Sequence, residues 1–325
     1  MTSQPSATAA VRQELLDAYT AMLRIRVVEE TVLAMRLAGT IVGSVHLEMG
    51  QEAIPIGVVG VRAPGDAVFA TYRGHGWALA CGLSVQSLLA ELAARSGGPN
   101  DGRGGSAYLS DPEHGFFGEN SIVGGGVPIA VGAALAGRFD GSGRAAITVF
   151  GDGATNQGSV HESMNLASAM RLPVLFVCEN NGLSELTRIN DMVGQPELYR
   201  RAAGYGMAGL RVDGNDPFAV REAAAAALER ARGGGGPTFL EVMTHRITGH
   251  YIGDMEQYRL PGELDAALAD EPLARIRRQF ADAGLDEAAI AAIEAPVRDE
   301  VAQARTTVEA LPLVDTSNVR EHLYG

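Results

Sequence analysis

An α/β fold, a parallel sheet with helices on both faces, is predicted by three features of this 325-residue chain. Two apolar, β-branched runs, Ala145 to Phe150 and Pro173 to Cys178, have the length of buried strands. The stretch between them reads as a helix, so the two strands should lie parallel and end on the same edge of one sheet. Helical additions are expected at both ends, because Val11 to Leu37 and the acidic stretch from Glu263 onward carry helical spacing.

In chain order, Met1 to Ala10 is read as a disordered start and Val11 to Leu37 as one or two helices. Ala67 to Ala70 is a short strand, and Val85 to Arg95 returns to helix. Ser96 to Gly126 is rich in Gly, Asn, Asp, Pro and Ser and is read as loop; loops this long in a folded domain are usually functional. Val127 to Arg138 is a small-residue helix suited to close packing on the sheet. Leu210 to Val212 is another strand and Pro217 to Arg232 an alanine-rich helix. Gly233 to Gly236 breaks the chain before the strand Thr238 to Met243, and Thr244 to Arg259 then leaves the sheet edge as a polar segment. No internal repeat and no boundary divide residues 11–325, which are read as one domain with a C-terminal helical extension.

Composition excludes several functions. A formal charge of −13 argues against nucleic acid or an anionic membrane surface as main partner. All 26 basic residues are arginine, which excludes a Schiff-base lysine, a pyridoxal phosphate anchor and the lysine of a P-loop. Cys81 and Cys178 lie in apolar contexts without metal-like spacing and are expected buried and reduced. The first ten residues carry no targeting signature and no stretch is long enough to span a bilayer, so a cytoplasmic location is expected.

Gly151-Asp152-Gly153-Ala154 follows the first strand of the central unit, and Glu179-Asn180-Asn181 ends the second. Asp152 and Asn181 should therefore face each other at the carboxyl edge, where open α/β sheets bind ligands. A carboxylate and an amide oxygen are hard ligands suited to Mg²⁺, with a helix N-cap as the plainer role for Asp152. Gly153 and Ala154 are read as starting the next helix, their N–H groups turned toward a phosphate. The third glycine of an NAD fingerprint is missing. The pattern describes a metal–diphosphate site. Tyr72 and Arg73 lie past the strand Ala67 to Ala70 on the same side of the sheet, and a planar guanidinium suits the charge of a diphosphate. Histidine is the acid–base resource near neutral pH, and seven are present.

The sequence resembles the thiamine diphosphate motif, GDG followed after an intervening helix by NN. It is similar to the α subunit of heterotetrameric 2-oxo acid dehydrogenases of the pyruvate and acetoin type, from about Val28 to about Tyr258. The matching blocks are His46 with Gly50-Gln51-Glu52-Ala53, Tyr72-Arg73-Gly74-His75-Gly76, Gly104-Gly105-Ser106, Ile122-Val123-Gly124, Gly151 to Gly158, Glu179-Asn180-Asn181 and Gly249-His250. The resemblance implies thiamine diphosphate and Mg²⁺ as cofactors, with Asp152, Asn181 and the main-chain carbonyl of Leu183 on the metal. It implies Tyr72 and Arg73 on the diphosphate together with Gly153 and Ala154, and Ser121 and Val123 on the aminopyrimidine through backbone groups. His250 corresponds to an active-site loop histidine that stabilises the cofactor or an intermediate, and His46 to a position near the substrate. His114, His161, His245 and His322 carry weaker claims.

This chain departs from the family at several positions. Leu183 stands where tyrosine is common, and Ser121 where pyruvate enzymes have glycine. Thr248 replaces a histidine found in many relatives, and Tyr251 a regulatory serine of the mitochondrial enzymes, so that phosphorylation switch is absent. Gly249-His250-Tyr251, Gly253-Asp254 and Tyr258-Arg259 look closer to the acetoin subgroup, and Glu179 differs from the arginine of branched-chain enzymes. In this family the glutamate that activates thiamine belongs to a pyrimidine-binding domain on the β subunit, and this chain has no second sheet domain to supply it. An obligate β subunit, a heterotetramer and possible transfer to a lipoyl-bearing acyltransferase follow from the resemblance. The expected activity is decarboxylation or cleavage of a small 2-oxo acid or acetoin-like ketone. A split transketolase-like carboligase is the alternative with the same cofactor, and a non-catalytic scaffold subunit the alternative of another class; a Rossmann dehydrogenase is the weakest contender.

Overall fold

Apolar side chains alternate along the two central strands, and both sets are buried. The computed structural model, which describes residues 7–318 and residue 320, pairs β3 (Ala146–Gly151) with β4 (Val174–Asn180) in parallel. Ile147, Val149, Leu175 and Val177 face one core layer. Ala146, Phe150, Val174, Phe176 and Cys178 face the other. That period of two, covered on both sides, is what a parallel strand requires.

Before these strands come α1 (Ala7–Leu37), α2 (Ala53–Val59), β1 (Ala67–Phe69), α3 (His75–Cys81), α4 (Val85–Leu92), β2 (Phe116–Gly118) and α5 (Gly126–Phe139). After β3 comes α6 (Gly158–Ala169). After β4 come the two-residue strands β5 (Leu183–Ser184) and β6 (Thr187–Arg188), then β7 (Ala208–Asp213), α7 (Pro217–Arg230), β8 (Thr238–Met243), α8 (Glu263–Asp270), α9 (Pro272–Phe280) and α10 (Glu287–Ala310). The six-stranded sheet runs β2-β1-β3-β4-β8-β7, every pairing parallel, while β5 and β6 form a small antiparallel hairpin. Helices α5 and α6 cover one face; α1, α2, α4, α7 and the C-terminal helices cover the other. The α/β parallel sheet with helices on both faces is therefore as expected.

The additions at the two ends pack on each other. Helix α10 lies along α1 and α4, with Tyr19 donating to Glu294 and Arg24 pairing with Glu300 at 3.1 Å. Burial of Val297, Val301 and Val308 in this seam contributes about 1.5–3 kcal/mol per side chain.

Three expectations change. Residues 1–6 lie outside the described residues, but within the stretch read as a disordered start residues 7–10 are helical and belong to α1, three of those four positions being alanine, the strongest helix former. The stretch 96–126 is not all loop, since β2 lies within it and extends the sheet beside β1. Its glycine-rich part is ordered by the buried carboxylate of Glu91, which accepts the N–H groups of Asn100, Gly102, Gly104 and Gly105 at 2.9, 3.0, 2.8 and 3.2 Å. One carboxylate thus satisfies four loop donors that would otherwise be unpaired. Finally, α6 does not start at Gly153. Residues Asp152–Asn156 form a 3₁₀ turn, Gln157 is extended, and the α-helix begins at Gly158. Asp152 causes this: its Oδ1 accepts Gly153 N–H at 2.8 Å and its carbonyl accepts Thr155 Oγ1 at 2.6 Å.

Candidate active site

Gly151 stands opposite Glu179 in the β3–β4 register, so the two strands release Asp152 and Asn181 side by side. Together with the exits of β1 and β8 they border a cavity of about 550 Å³. Tyr72, Arg73, Asp152, Gly153, Ala154 and Asn181 all line it. So do Ser121, Val123 and Leu183, and so do His46 and His250 from two further loops. Every sequence-predicted site residue therefore reaches one cavity.

Asp152 is 2% exposed, and its Oδ2 has no hydrogen-bond partner. Burial pushes its carboxyl up to about 6, against the pull of the Gly153 N–H and the Arg246 guanidinium. A buried carboxylate oxygen without a partner costs stability unless a cation or donor meets it. Asn181 Oδ1 accepts Leu183 N–H at 3.1 Å, and its amide nitrogen donates to Gln51 Oε1 at 3.0 Å. Gly182, at φ +78°, makes the turn that carries Leu183 back over the site. No cluster of three or more His, Cys, Asp or Glu that could hold a metal occurs among the described residues. A cation here would take one carboxylate, an amide and main-chain oxygens, a hard donor set that fits Mg²⁺. Close approach is also built in at Gly153, where a Cβ would lie 2.3 Å from Ser184 Oγ.

Two buried arginines supply positive charge. Arg73 does not make a surface ion pair: it donates to the carbonyl of Leu47 and, at 3.0 Å, to that of His250. It thus ties together the loops that carry the two histidines. Arg246, which sequence reasoning missed, is 3% exposed and lines the cavity. It donates to the Glu185 carbonyl at 3.0 Å and to Tyr258 Oη at 2.8 Å, while its Nε has no partner. The hydrogen bonds of both guanidiniums go to carbonyls, a hydroxyl and an imidazole rather than to carboxylates. Their charge is therefore free to meet an anion.

The His46 ring lies 4.4 Å from Tyr72 and 5.0 Å from His250, centroid to centroid. Burial and the nearby Arg73 lower His46 to about 3 and His250 to about 4, so both are neutral at pH 7. A neutral imidazole can take or give a proton at a substrate oxygen. Glu179, also in the cavity wall, accepts Trp77 Nε1 at 3.0 Å, and burial pushes its carboxyl up to about 7. Gln51 and Glu179 stood in recognisable blocks; only Arg246 had no local signal beyond its place in the polar segment after β8. His75 lies outside the cavity wall, bridging Glu29 at 3.1 Å and Ser106 at 2.9 Å in the core. Cys81 and Cys178 are both free and buried.

The sequence profile of the dehydrogenase E1 component matches residues 20–316. The chain belongs to that family. Among similar curated proteins is the α subunit of acetoin:2,6-dichlorophenolindophenol oxidoreductase from Cupriavidus necator, 43% identical over 270 residues, covering 83% of this chain and 81% of that one. The pyruvate dehydrogenase E1 component α subunit of Zymomonas mobilis is 39% identical over 306 residues, 94% of this chain and 86% of its own. The corresponding acetoin subunit of Bacillus subtilis is 36% identical over 312 residues, covering 96% and 94%. The E1 resemblance carried by the motif blocks is thereby confirmed, across almost the whole chain.

Proposed function

We propose that this E1 chain is the α subunit of a thiamine diphosphate- and Mg²⁺-dependent dehydrogenase acting on a small 2-oxo acid or acetoin, with a β subunit as obligate partner. One observation carries the reading: Asp152, whose Oδ2 is buried without a partner, lines a cavity whose two buried guanidiniums bind no carboxylate. An anion carrying a divalent cation complements both. When bound, thiamine diphosphate supplies an electron sink for cleaving the bond beside a carbonyl. Asp152, Asn181 and Leu183 would hold the metal. Tyr72 and Arg73, with the N–H groups of Gly153 and Ala154, would hold the diphosphate, and Ser121 and Val123 would border the aminopyrimidine. His250 and His46, neutral and adjacent, would hold or move a proton at the substrate oxygen and stabilise developing charge. The activating carboxylate would come from the β subunit, and a lipoyl-bearing acyltransferase would accept the acyl unit. Acetoin is favoured over pyruvate by the 43% identity to an acetoin subunit.

The test is calorimetry on the copurified α–β complex, followed by dye-reduction assays with acetoin and pyruvate. Thiamine diphosphate should bind only with Mg²⁺, and Asp152→Ala should abolish that binding. Unchanged affinity in the variant, or turnover by the highly purified α chain alone, overturns the proposal.

A further inference from the structure

Gln51 has no assigned role, yet it is 1% exposed and lines the cavity beside the metal–diphosphate site. Its backbone is held from several sides. The Gly50 carbonyl accepts Thr244 Oγ1 at 3.2 Å, the Met49 carbonyl accepts Ile247 N–H at 3.3 Å, and Gly50 N–H donates to Glu52, itself paired with Arg26 at 2.6 Å. Gly50 sits at φ +93°, where a Cβ would lie 2.4 Å from the His245 carbonyl, so the segment cannot shift without losing that packing. The side chain is therefore presented from a fixed point.

The Gln51 Oε1 accepts Asn181 Nδ2 at 3.0 Å. Leu183 N–H donates to Asn181 Oδ1 at 3.1 Å, so the observed orientation gives both ends of the amide a partner, Gln51 on the nitrogen and Leu183 on the oxygen. Flipped, the amide would set its oxygen against Gln51 Oε1 and its nitrogen against Leu183 N–H, so Gln51 helps to keep the oxygen on the side of Leu183, a further proposed metal ligand. Gln51 Nε2 is left buried with no partner. A ligand whose donor atom must be an oxygen gains from a neighbour that captures the competing nitrogen.

We infer that Gln51 is a positioning residue for the cation: it holds the Asn181 amide so that Oδ1, not Nδ2, faces the metal. This rests on the metal–diphosphate reading of the site. Asn181→Asp offers oxygen at both positions, so orientation no longer matters in that background. Mn²⁺ binding to the α–β complex, followed by electron paramagnetic resonance with inorganic diphosphate present, reads the effect without turnover. Gln51→Met should weaken Mn²⁺ roughly tenfold or more, the usual consequence of losing an outer-shell partner. The same change in the Asn181→Asp background should cost less than about twofold, the non-additivity of a coupled pair. Gln51→Glu keeps an acceptor and nearly the same shape, and should bind Mn²⁺ within about threefold of the parent. Equal losses in both backgrounds, no loss in Gln51→Met, or a loss in Gln51→Glu as large as methionine's would overturn the inference. If Asp152→Ala also leaves Mn²⁺ binding unchanged, the metal site itself is misplaced, a result distinct from failure of Gln51 alone.

Discussion

The backbone N–H of His250 donates to Asp254 Oδ2 at 2.6 Å, so the segment after β8 is folded around one carboxylate. The same oxygen accepts Tyr258 Oη at 2.7 Å, and Oδ1 accepts Glu256 N–H at 2.9 Å. Burial is the largest single influence on the Asp254 carboxyl and pushes it up, but the N–H groups of His250 and Glu256, the Tyr258 hydroxyl and the Arg246 charge together hold it below the ordinary range. Gly249 permits the fold, since a Cβ there would lie 2.8 Å from Asp254 Cβ. Arg246 and Arg259 extend the network through Tyr258 and the carbonyls of Arg246 and Thr248.

Asp254→Ala should release this loop. Limited proteolysis between residues 244 and 259 should accelerate several-fold, while global stability falls by only about 1–2 kcal/mol after solvent screening. An unchanged cleavage rate would mean that other contacts hold the segment.

His250→Ala separates chemistry from anchoring. Arg73 bonds only the main-chain carbonyl of His250, so it keeps its place in the variant. Turnover of the α–β complex should fall by about a hundredfold or more. Calorimetric affinity for thiamine diphosphate with Mg²⁺ should change little. Near-normal turnover would assign His250 to loop structure only.

Glu119 gives the fold a pH signature. It is 6% exposed, its Oε2 accepts Leu109 N–H at 3.2 Å, and its Oε1 has no partner. Burial, opposed by His75, pushes its carboxyl up to about 7 from an ordinary 4.5. A raised carboxyl contributes stability that is complete below the unfolded value and is lost as pH rises through about 7. Glu119→Gln keeps the acceptor but cannot ionise. Its Tm should therefore climb relative to the parent between about pH 5 and pH 8. A gap independent of pH would show an ordinary carboxyl.

Gly57 marks the contact of α2 with α7, where a Cβ would lie 2.7 Å from Val220 Cγ1 and 2.8 Å from the Pro217 carbonyl. Gly57→Ala should cost about 1–3 kcal/mol by overpacking, measured by denaturant unfolding. Gly233, with nothing within 4 Å of a Cβ, is the control and should tolerate alanine. Equal effects would mean that the seam relaxes.

The sequence by itself determined the central unit, the placement of Asp152 and Asn181 at strand ends, and the family. These are local properties: apolar alternation fixes which residues enter a strand, and parallel pairing fixes which end they share. Thr238 to Met243 emerged with the same bounds as its strand for that reason. Helices α2 and α3, each seven residues long, left no readable pattern, because helices that short persist only through the packing around them. Strand β2, three residues long, exists because β1 supplies its hydrogen bonds. The site divides the same way. The glycine turn around Asp152 was legible, whereas the bonding of Arg73 to His250, 177 residues apart, and of Gln51 to Asn181, 130 apart, was decided only by the tertiary structure. A hydrogen bond is won or lost within a few tenths of an ångström, and between residues so distant in the chain that separation is set by the packing of the whole sheet edge rather than by any local rule.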